Sequence, residues 1–404
     1  MKPISNLIYQ RGYRKRSEGF PLKLELIPVF GSLKRIREIW ENLEESANTS
    51  YFLSWGWIEN WISSLPDHVK LEFVVFLEEN NPRLAFFIGK ETLLRTMGDF
   101  HGQRHLFKSR GWFLNATGIP AFDRVYPEYN GFLCKQNESF RLIDILNRLP
   151  DSWDEFYLPA LDMQTFPGTE ALDNFSPYKT IIKDDMIVLS PFVDLDRVRA
   201  RGGDYLSLLS ANTRSQINRS YRLCEKIAPV QLEVARDTLR AMDIYNELVD
   251  LHEDTWTNRG QKGAFSSDYL FQFHKQLIQS RFQYDEIQLL RIKCENNTIG
   301  CLYNFVYKNN VYSYQTGINY YLDKRLRPGL VAHVEAIRHN ATAGHKIYDF
   351  LGGSSRYKMS LATHHNRLIW IRLQKPLLKF RIEDALKTFK HLLVRLRKKC
   401  YMPS

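Results

Sequence analysis

The chain spells one alternation twice. Residues 72–88 (EFVVFLEENNPRLAFFI) and 286–306 (EIQLLRIKCENNTIGCLYNFV) each carry apolar positions at strand spacing, break at a Glu-Asn-Asn turn and resume as a second strand. Asn accepts left-handed backbone angles, so the spelling suits a tight hairpin. Helical spacing precedes both hairpins: SLKRIREIWENLEES and SWGWIENWISSL before the first, DTLRAMDIYNELVDLHEDTW and SDYLFQFHKQLIQS before the second. Each hairpin is followed by more strand-like residues, a helix and a further strand: SFRLIDILNRL then DEFYLPA, and GLVAHVEAIRHNA then KIYDFL. In the last of these helices Leu330, Val331, Val334 and Ile337 share one side. The pattern predicts an α/β (α+β) chain of two similar domains, each a mostly antiparallel mixed sheet flanked by helices, with a boundary near residues 180–195. A length of 404 residues exceeds what one core usually supports and agrees with that count. Trp55 and Trp57 are expected to anchor a helix in the first core. A C-terminal helix with Ile382, Leu386, Phe389, Leu393 and Leu396 on one stripe is expected to dock on the second domain or on a partner.

Composition adds little to the fold and something to the partners. Hydrophobic residues at 44% and charged residues at 25% are ordinary for a globular protein. The net charge is +11, but Pro376–Ser404 alone holds eight Lys or Arg against two Asp or Glu. The excess is thus a tail rather than a stripe. It reads as a solvated helix face, or as a contact with an anionic membrane, RNA or a nucleotide-bearing substrate. Five scattered cysteines without a CxxC pair give no disulfide framework and no zinc spacing. Cys294 and Cys301 fall on neighbouring strands as small core residues. The histidines show no metal spacing, so no metal is expected. No apolar run marks the N-terminus as a secretory signal, and none reaches the length of a membrane span, so a cytoplasmic protein is expected.

The chemistry concentrates in residues 311–358. VYSYQTG reads as a strand, LDKRLRPGL as a basic loop leading into a helix, and KIYDFLGGSSRYK as a strand and a Gly-Gly loop. A strand that feeds a basic loop onto a helix N-terminus can hold a pyrophosphate, because free N–H groups and the helix dipole point at it. Arg325, Arg327 and Gly329 are the phosphate candidates, Arg because it binds bidentately and Gly329 because it permits close backbone approach. The alternative is an exposed basic loop. Asp349, Gly352, Gly353, Tyr357 and Lys358 lie where a strand ends at a mouth, or else form a capped turn with a surface Lys. In the first half, Glu128, Tyr129 and Asn130 follow a polar, Gly-containing loop of the kind that collects binding groups.

Four segments carry a family resemblance: SYFLSWGWIENW, ANTRSQINRSYRLCEK, LHEDTWTNRGQKGAF and RPGLVAHVEAIRHNATAGHKIYDFLGGSSRYK. Together they resemble the GNAT acyltransferases of the CelD/BcsL type, a group associated with bacterial polysaccharide biosynthesis and similar to FemAB-type transferases, which pair two GNAT-like domains. The resemblance spans roughly residues 23–376. It implies an N-terminal arm (1–22), a GNAT-like domain on the acceptor side (23–187), a second on the acyl-donor side (188–376) and a basic C-terminal helix (377–404). It implies an N-acyltransferase of the N-acetyltransferase kind, moving an acyl group from acyl-CoA, such as acetyl-CoA, to an amine of a sugar, sugar nucleotide or related precursor. Acyl-CoA would be a co-substrate, with no tightly bound cofactor. The usual Gly-rich pyrophosphate loop is replaced by LDKRLRPGL, which keeps open a carrier-bound acyl thioester as donor, or a FemAB-like transfer from aminoacyl-tRNA. A catalytically silent scaffold in polysaccharide export is the further alternative. Nucleic acid is a partner only in the tRNA reading, and the basic tail is the candidate contact with a membrane or with polysaccharide machinery.

Acyl transfer needs a neutral amine, a polarised carbonyl and a stabilised leaving thiolate. The resemblance places the polarising backbone N–H on a strand that splays from its neighbour, between VYSYQTG and KIYDFLG, with Tyr314 and Gln315 on the donor. Asp349, Glu253 and Tyr357 are the catalytic candidates. Glu253 would activate an amine through water and Tyr357 would donate to the thiolate. Glu128, Asn130, Trp256 and Lys358 are the candidates for substrate contact. For Glu253 a solvated helix face, and for Trp256 a core position, are the competing readings.

Overall fold

The computed structural model describes residues 22–99, 102–125, 127–136, 138, 140–162, 177–321, 323 and 325–400. All of the expected arm except residue 22 lies outside them. The first half forms β1 (Lys23–Pro28), α1 (Leu33–Glu44), α2 (Trp55–Ser63), β2 (Leu71–Glu78), β3 (Asn81–Asp99), β4 (Gly102–Leu114), β5 (Leu133–Cys134), α3 (Leu142–Leu146), β6 (Glu155–Asp162) and β7 (Lys179–Asp194). The second half forms α4 (Leu195–Ala200), α5 (Ala211–Glu225), β8 (Val230–Val234), α6 (Thr238–Thr257), α7 (Asp268–Arg281), β9 (Ile287–Cys294), β10 (Asn297–Tyr307), β11 (Asn310–Ile318), α8 (Pro328–Thr342), β12 (Ile347–Asp349), α9 (Arg356–Leu361), β13 (His364–Gln374) and α10 (Leu378–Cys400). The repeat is real: strand, two helices, three-stranded meander, helix, strand occurs twice. The hairpin turns use left-handed residues, Glu79 and Asn80 in the first and Glu295 in the second.

The strands form one sheet in the order β1-β2-β3-β4-β6-β13-β7-β12-β11-β10-β9-β8, with β5 on β3. Read from either end, the order runs through the same sequence of parts. Each unit has one parallel pair, β4 with β6 and β11 with β12, and the remaining named pairs are antiparallel. At the centre the units exchange strands. β13, last in the chain, inserts between β6 and β7, while β7 lies between β13 and β12. The expected boundary at residue 187 therefore falls inside β7, which pairs with β13 on one edge and, at its C-terminal end, with β12 on the other.

One core runs under α1, α2, α6 and α7 across both units, joining Trp40, Trp57, Phe73 and Phe87 to Phe273, Tyr303, Phe305 and Tyr312. Two separate cores lie on the opposite face, one beneath α4, α5 and α8 and one beside α3. Trp57 is fully buried and Trp55 nearly so, and Val331, Val334 and Ile337 of α8 are buried, as their spacing requires. Cys294 and Cys301 sit buried on β9 and β10. The C-terminal helix corrects the sequence expectation. α10 docks on the first unit, with Phe380 against Phe107, Glu383 paired to Arg95 and Lys379 donating to Asp154.

Candidate active site

The two parallel strand pairs differ in what lies between them. β11 meets β12 only over Asn310–Tyr312, paired with Ile347–Asp349. Beyond Tyr312 the strands part, and β11 runs on to Ile318 with β10 on its other edge. From α6, His252 Nδ1 lies 3.2 Å from the carbonyl of Thr316, and the Thr255 hydroxyl reaches the carbonyl of Ile318 at 3.4 Å. The N–H and C=O of one strand residue share an edge, so the Thr316 N–H faces this same opening, and the β10–β11 register shifts at Tyr314, just before it. At its far end α8 begins with Pro328, and its N-cap residue Arg327 makes no side-chain capping bond. Pro328 has no N–H, and the Leu330 and Val331 N–H groups donate to Arg327 O at 3.0 and 3.3 Å, so Gly329 supplies the uncapped donor of this first turn.

In the first unit the corresponding opening is filled. After β4 the chain threads residues 115–125 and 127–131 into the gap. Asn115 bonds Phe87 in both directions, at 2.9 and 2.8 Å, and donates to Asn130 Oδ1 at 2.8 Å. The Asn130 amide donates to Leu114 O at 3.0 Å, its backbone N–H donates to Ala160 O at 2.9 Å, and the residue bridges to Leu161 in parallel fashion. A Cβ on Gly89 would stand 2.1 Å from Ala116 O, which shows how tightly the plug is seated. The helix that follows, α3, has five residues. Asn130, expected to touch substrate, is therefore engaged by the plug itself.

The same plug delivers two residues to the second unit. The Tyr129 hydroxyl donates to Asp349 Oδ2 at 2.5 Å and accepts from Asn366 Nδ2 of β13 at 3.1 Å. Asp349 Oδ1 accepts from Ser190 of β7 at 3.0 Å and from the Leu351 N–H at 2.7 Å. Glu128 Oε2 accepts the Gly352 N–H at 2.5 Å, and Lys358 Nζ donates to the carbonyls of Leu351 and Gly352 at 3.2 and 2.9 Å. Two non-glycine residues here, Tyr129 and Leu351, hold left-handed backbone with φ of 53° and 61°. Such strain persists only where surrounding contacts impose it, and it concentrates at working sites.

Burial sets the electrostatics. Desolvation raises the Asp349 carboxyl to about 7, opposed by its bonds to Tyr129, Leu351 and Ser190 and reinforced by Glu128. Glu128 is also raised by burial, against the Gly352 N–H and Lys358. Burial lowers Lys358, while Glu128 and then Asp349 hold it up. Tyr357 stacks on His333 of α8 with ring centres 5.4 Å apart, and burial pushes its hydroxyl up to about 12. His333 is driven down to about 3 by burial and is neutral.

The remaining candidates lie around the donor opening or behind it. Arg325 is exposed and its guanidinium pairs with Asp323 at 2.7 Å. The Arg327 N–H donates to Ser220 of α5 at 3.1 Å, and Arg219 reaches Arg325 O, so α5 holds the basic loop. A Cβ on Gly329 would have its nearest neighbour, the Tyr320 hydroxyl, 3.8 Å away, which leaves room for a bound group. Tyr314 sends its side chain into the aromatic core, 3.1 Å from His274, so it offers backbone only; Gln315 pairs with Tyr303 on β10. Glu253 is a loop clamp. Its Oε1 accepts the Phe265 N–H at 3.1 Å, and a Cβ on Gly263 would stand 2.1 Å from it. Trp256, with Arg259 over its ring at 5.5 Å, ends α6, where Asn258 meets Tyr321 in the loop before α8. The structure thus joins Glu128, Asp349 and Lys358, sets Tyr357 near the α8 entry, and adds Tyr129, Ser190 and Asn366. Tyr129 was visible in the sequence beside Glu128, whereas Ser190 and Asn366 carry no local signal.

Residues 211–359 match the model of the acetyltransferase (GNAT) domain, a span that holds the open strand pair, the α8 entry and Asp349. No curated protein sequence matches the chain. Among solved structures, FemX superposes with a TM-score of 0.50 at 10% identity, covering 82% of this chain and 95% of that one. A conserved protein of unknown function from Bacteroides thetaiotaomicron VPI-5482 gives 0.50 at 10% identity, covering 88% and 100%. A tandem GNAT protein from the clavulanic acid biosynthesis pathway gives 0.43 at 10% identity over 88% and 99%. The fold is mixed α/β, its second half matches the GNAT acetyltransferase domain model, and the fold is shared with FemX.

Proposed function

We propose that the chain is an N-acyltransferase that works at the open strand pair of the second unit, taking the acyl group from acyl-CoA. The observation that carries this reading is the asymmetry of the two units: one opening is plugged by residues 115–125 and 127–131, the other ends at an uncapped helix beside Gly329. Arg327 and the Gly329 N–H at the start of α8 would receive the donor's phosphates, with Arg325 bracing the loop through Asp323. The Thr316 N–H, on the free edge beside the bulge at Tyr314, would polarise the thioester carbonyl.

The acceptor amine approaches from the Tyr129 side. Its nitrogen forms the C–N bond as the C–S bond breaks. The proton it sheds passes to the Tyr129 oxygen while Tyr129 gives its own to Asp349, whose three bound donors leave no other easy route. The thiolate would take a proton from Tyr357, whose ring stacks on His333 of α8 and whose hydroxyl is protonated at neutral pH. Glu128 and Lys358 fix the Gly352 turn and add charge for recognition of the acceptor. An amino sugar or sugar nucleotide as acceptor, a role in cell-surface polysaccharide synthesis and a cytoplasmic setting rest on the CelD/BcsL resemblance and on the supply of acyl-CoA.

The test is release of free thiol from acetyl-CoA and longer acyl-CoAs in the presence of a panel of amino sugars. Amine-dependent release that falls at least a hundredfold in Asp349→Asn is expected. No amine-dependent release from any acyl-CoA, with the protein folded, overturns the reading.

A further inference from the structure

α10 presents two unlike faces. Its attachment to the first unit runs through Phe380 and Glu383, which are 4% and 3% exposed. Leu378, Ile382 and Phe389 are 70%, 51% and 59% exposed. At about 100° per residue, Ile382 and Phe389, seven positions apart, differ by only about 20°. The same count puts Phe380 and Glu383 on the opposite half of the helix. The apolar stripe thus points away from the body that holds the helix. Arg381 flanks it on one side and Lys390 on the other, by the same spacing.

A protein ordinarily turns such a stripe inward, and here a buried glutamate takes that place. Glu383 is held by Arg95 at 2.8 Å and by Lys387 at 2.7 Å, so the inward face is fixed by charge and the stripe is left outside. No helix among the described residues is long and apolar enough to cross a membrane. A basic helix that lies flat, with its apolar side to the acyl chains and its cations at the headgroups, needs no such length. We propose that α10 is an in-plane membrane helix that seats the protein on an anionic lipid surface through Leu378, Ile382 and Phe389.

Charge selects this occupant over a second copy of the chain. The stretch Pro376–Ser404 carries eight basic and two acidic residues, so two such helices side by side would set like charges against each other. An anionic bilayer neutralises them. A polyanion such as RNA would satisfy the cations but would leave the apolar stripe in water.

The experiment is sedimentation of the full-length protein with vesicles of phosphatidylcholine alone or mixed equally with phosphatidylglycerol. Binding to the mixed vesicles only, weakening as salt rises and falling about tenfold or more in Ile382→Ser/Phe389→Ser, is expected. Both residues are exposed, so the melting temperature of the double variant should stay at the parent value. Absence of binding to anionic vesicles overturns the proposal. So does binding that survives the double substitution but is lost in Arg381→Gln/Lys390→Gln, which would mark a general polyanion patch. A dimer in light scattering that the double substitution abolishes would assign the stripe to a second copy instead.

Discussion

Asp349 holds three donors in a buried pocket, and of these only the Tyr129 hydroxyl belongs to a residue that is not fully buried, so it is the one placed to exchange its proton with a substrate. Replacing Asp349 by Asn should abolish the proton sink while keeping the Ser190 and Leu351 bonds. In the parent, turnover should climb with pH up to about 7 as Asp349 ionises, and that limb should vanish in Asp349→Asn. The stability sign is opposite. The folded carboxyl titrates above its unfolded value, so its contribution is fully present below about pH 4 and is lost as pH rises through about 7. Asp349→Asn should therefore be more stable than the parent above pH 7, by up to about 4 kcal/mol, in urea melts at several pH values. Equal stability at all pH values would contradict the buried, titrating carboxyl. Tyr129→Phe should cut turnover while leaving donor affinity unchanged, read as a fall in kcat at constant KM for acyl-CoA. Glu253 shows the limit of sequence reading at this scale. A carboxylate near a helix end looks like a base, yet its partner, the Phe265 N–H, comes from a turn twelve residues further on. Glu253→Gln can still accept the Phe265 N–H, so its turnover should stay within about threefold of the parent.

At the scale of elements, local pattern served well where an element's role is local. The hairpins, α2, α6, α7 and α8 follow from alternation and helical spacing, and their buried faces are those the sequence marks. β7 and β13 escaped notice because their identity depends on partners far away in the chain, Pro191 opposite His365 and Leu368 opposite Asp162. The plug was equally hidden. Its loop spelling, NATGIPAFDRVYPEYNG, looks like a surface connection, and only the paired amides of Asn115 and Asn130 reveal a wedge between strands. Asn130→Ala would take one of two acceptors from the Asn115 amide and strand the Leu114 carbonyl and the Gly131 N–H, costing on the order of 2–4 kcal/mol in urea unfolding. Activity should fall with it, because Tyr129 and Glu128 ride on the same segment. A stability change under about 0.5 kcal/mol would show that the plug is held by other contacts.

Taken whole, the molecule is two copies of one plan that cannot be cut apart. Each unit completes its sheet with a strand from the other half, and one aromatic core spans both. Separate chains of residues 23–187 and 188–376 should each fail to fold, and the intact protein should unfold in one calorimetric transition. A stable fold in either fragment would contradict the exchange. The repeat lets the two openings be compared within one chain, and that comparison is the central claim: donor binds where β11 leaves β12, and the matching gap between β4 and β6 is closed. Hydrogen exchange with and without saturating acetyl-CoA tests it most directly. Slowed exchange confined to residues 313–333, with residues 111–125 unchanged, is the predicted result. Protection across 111–125, or none at 313–333, would contradict it.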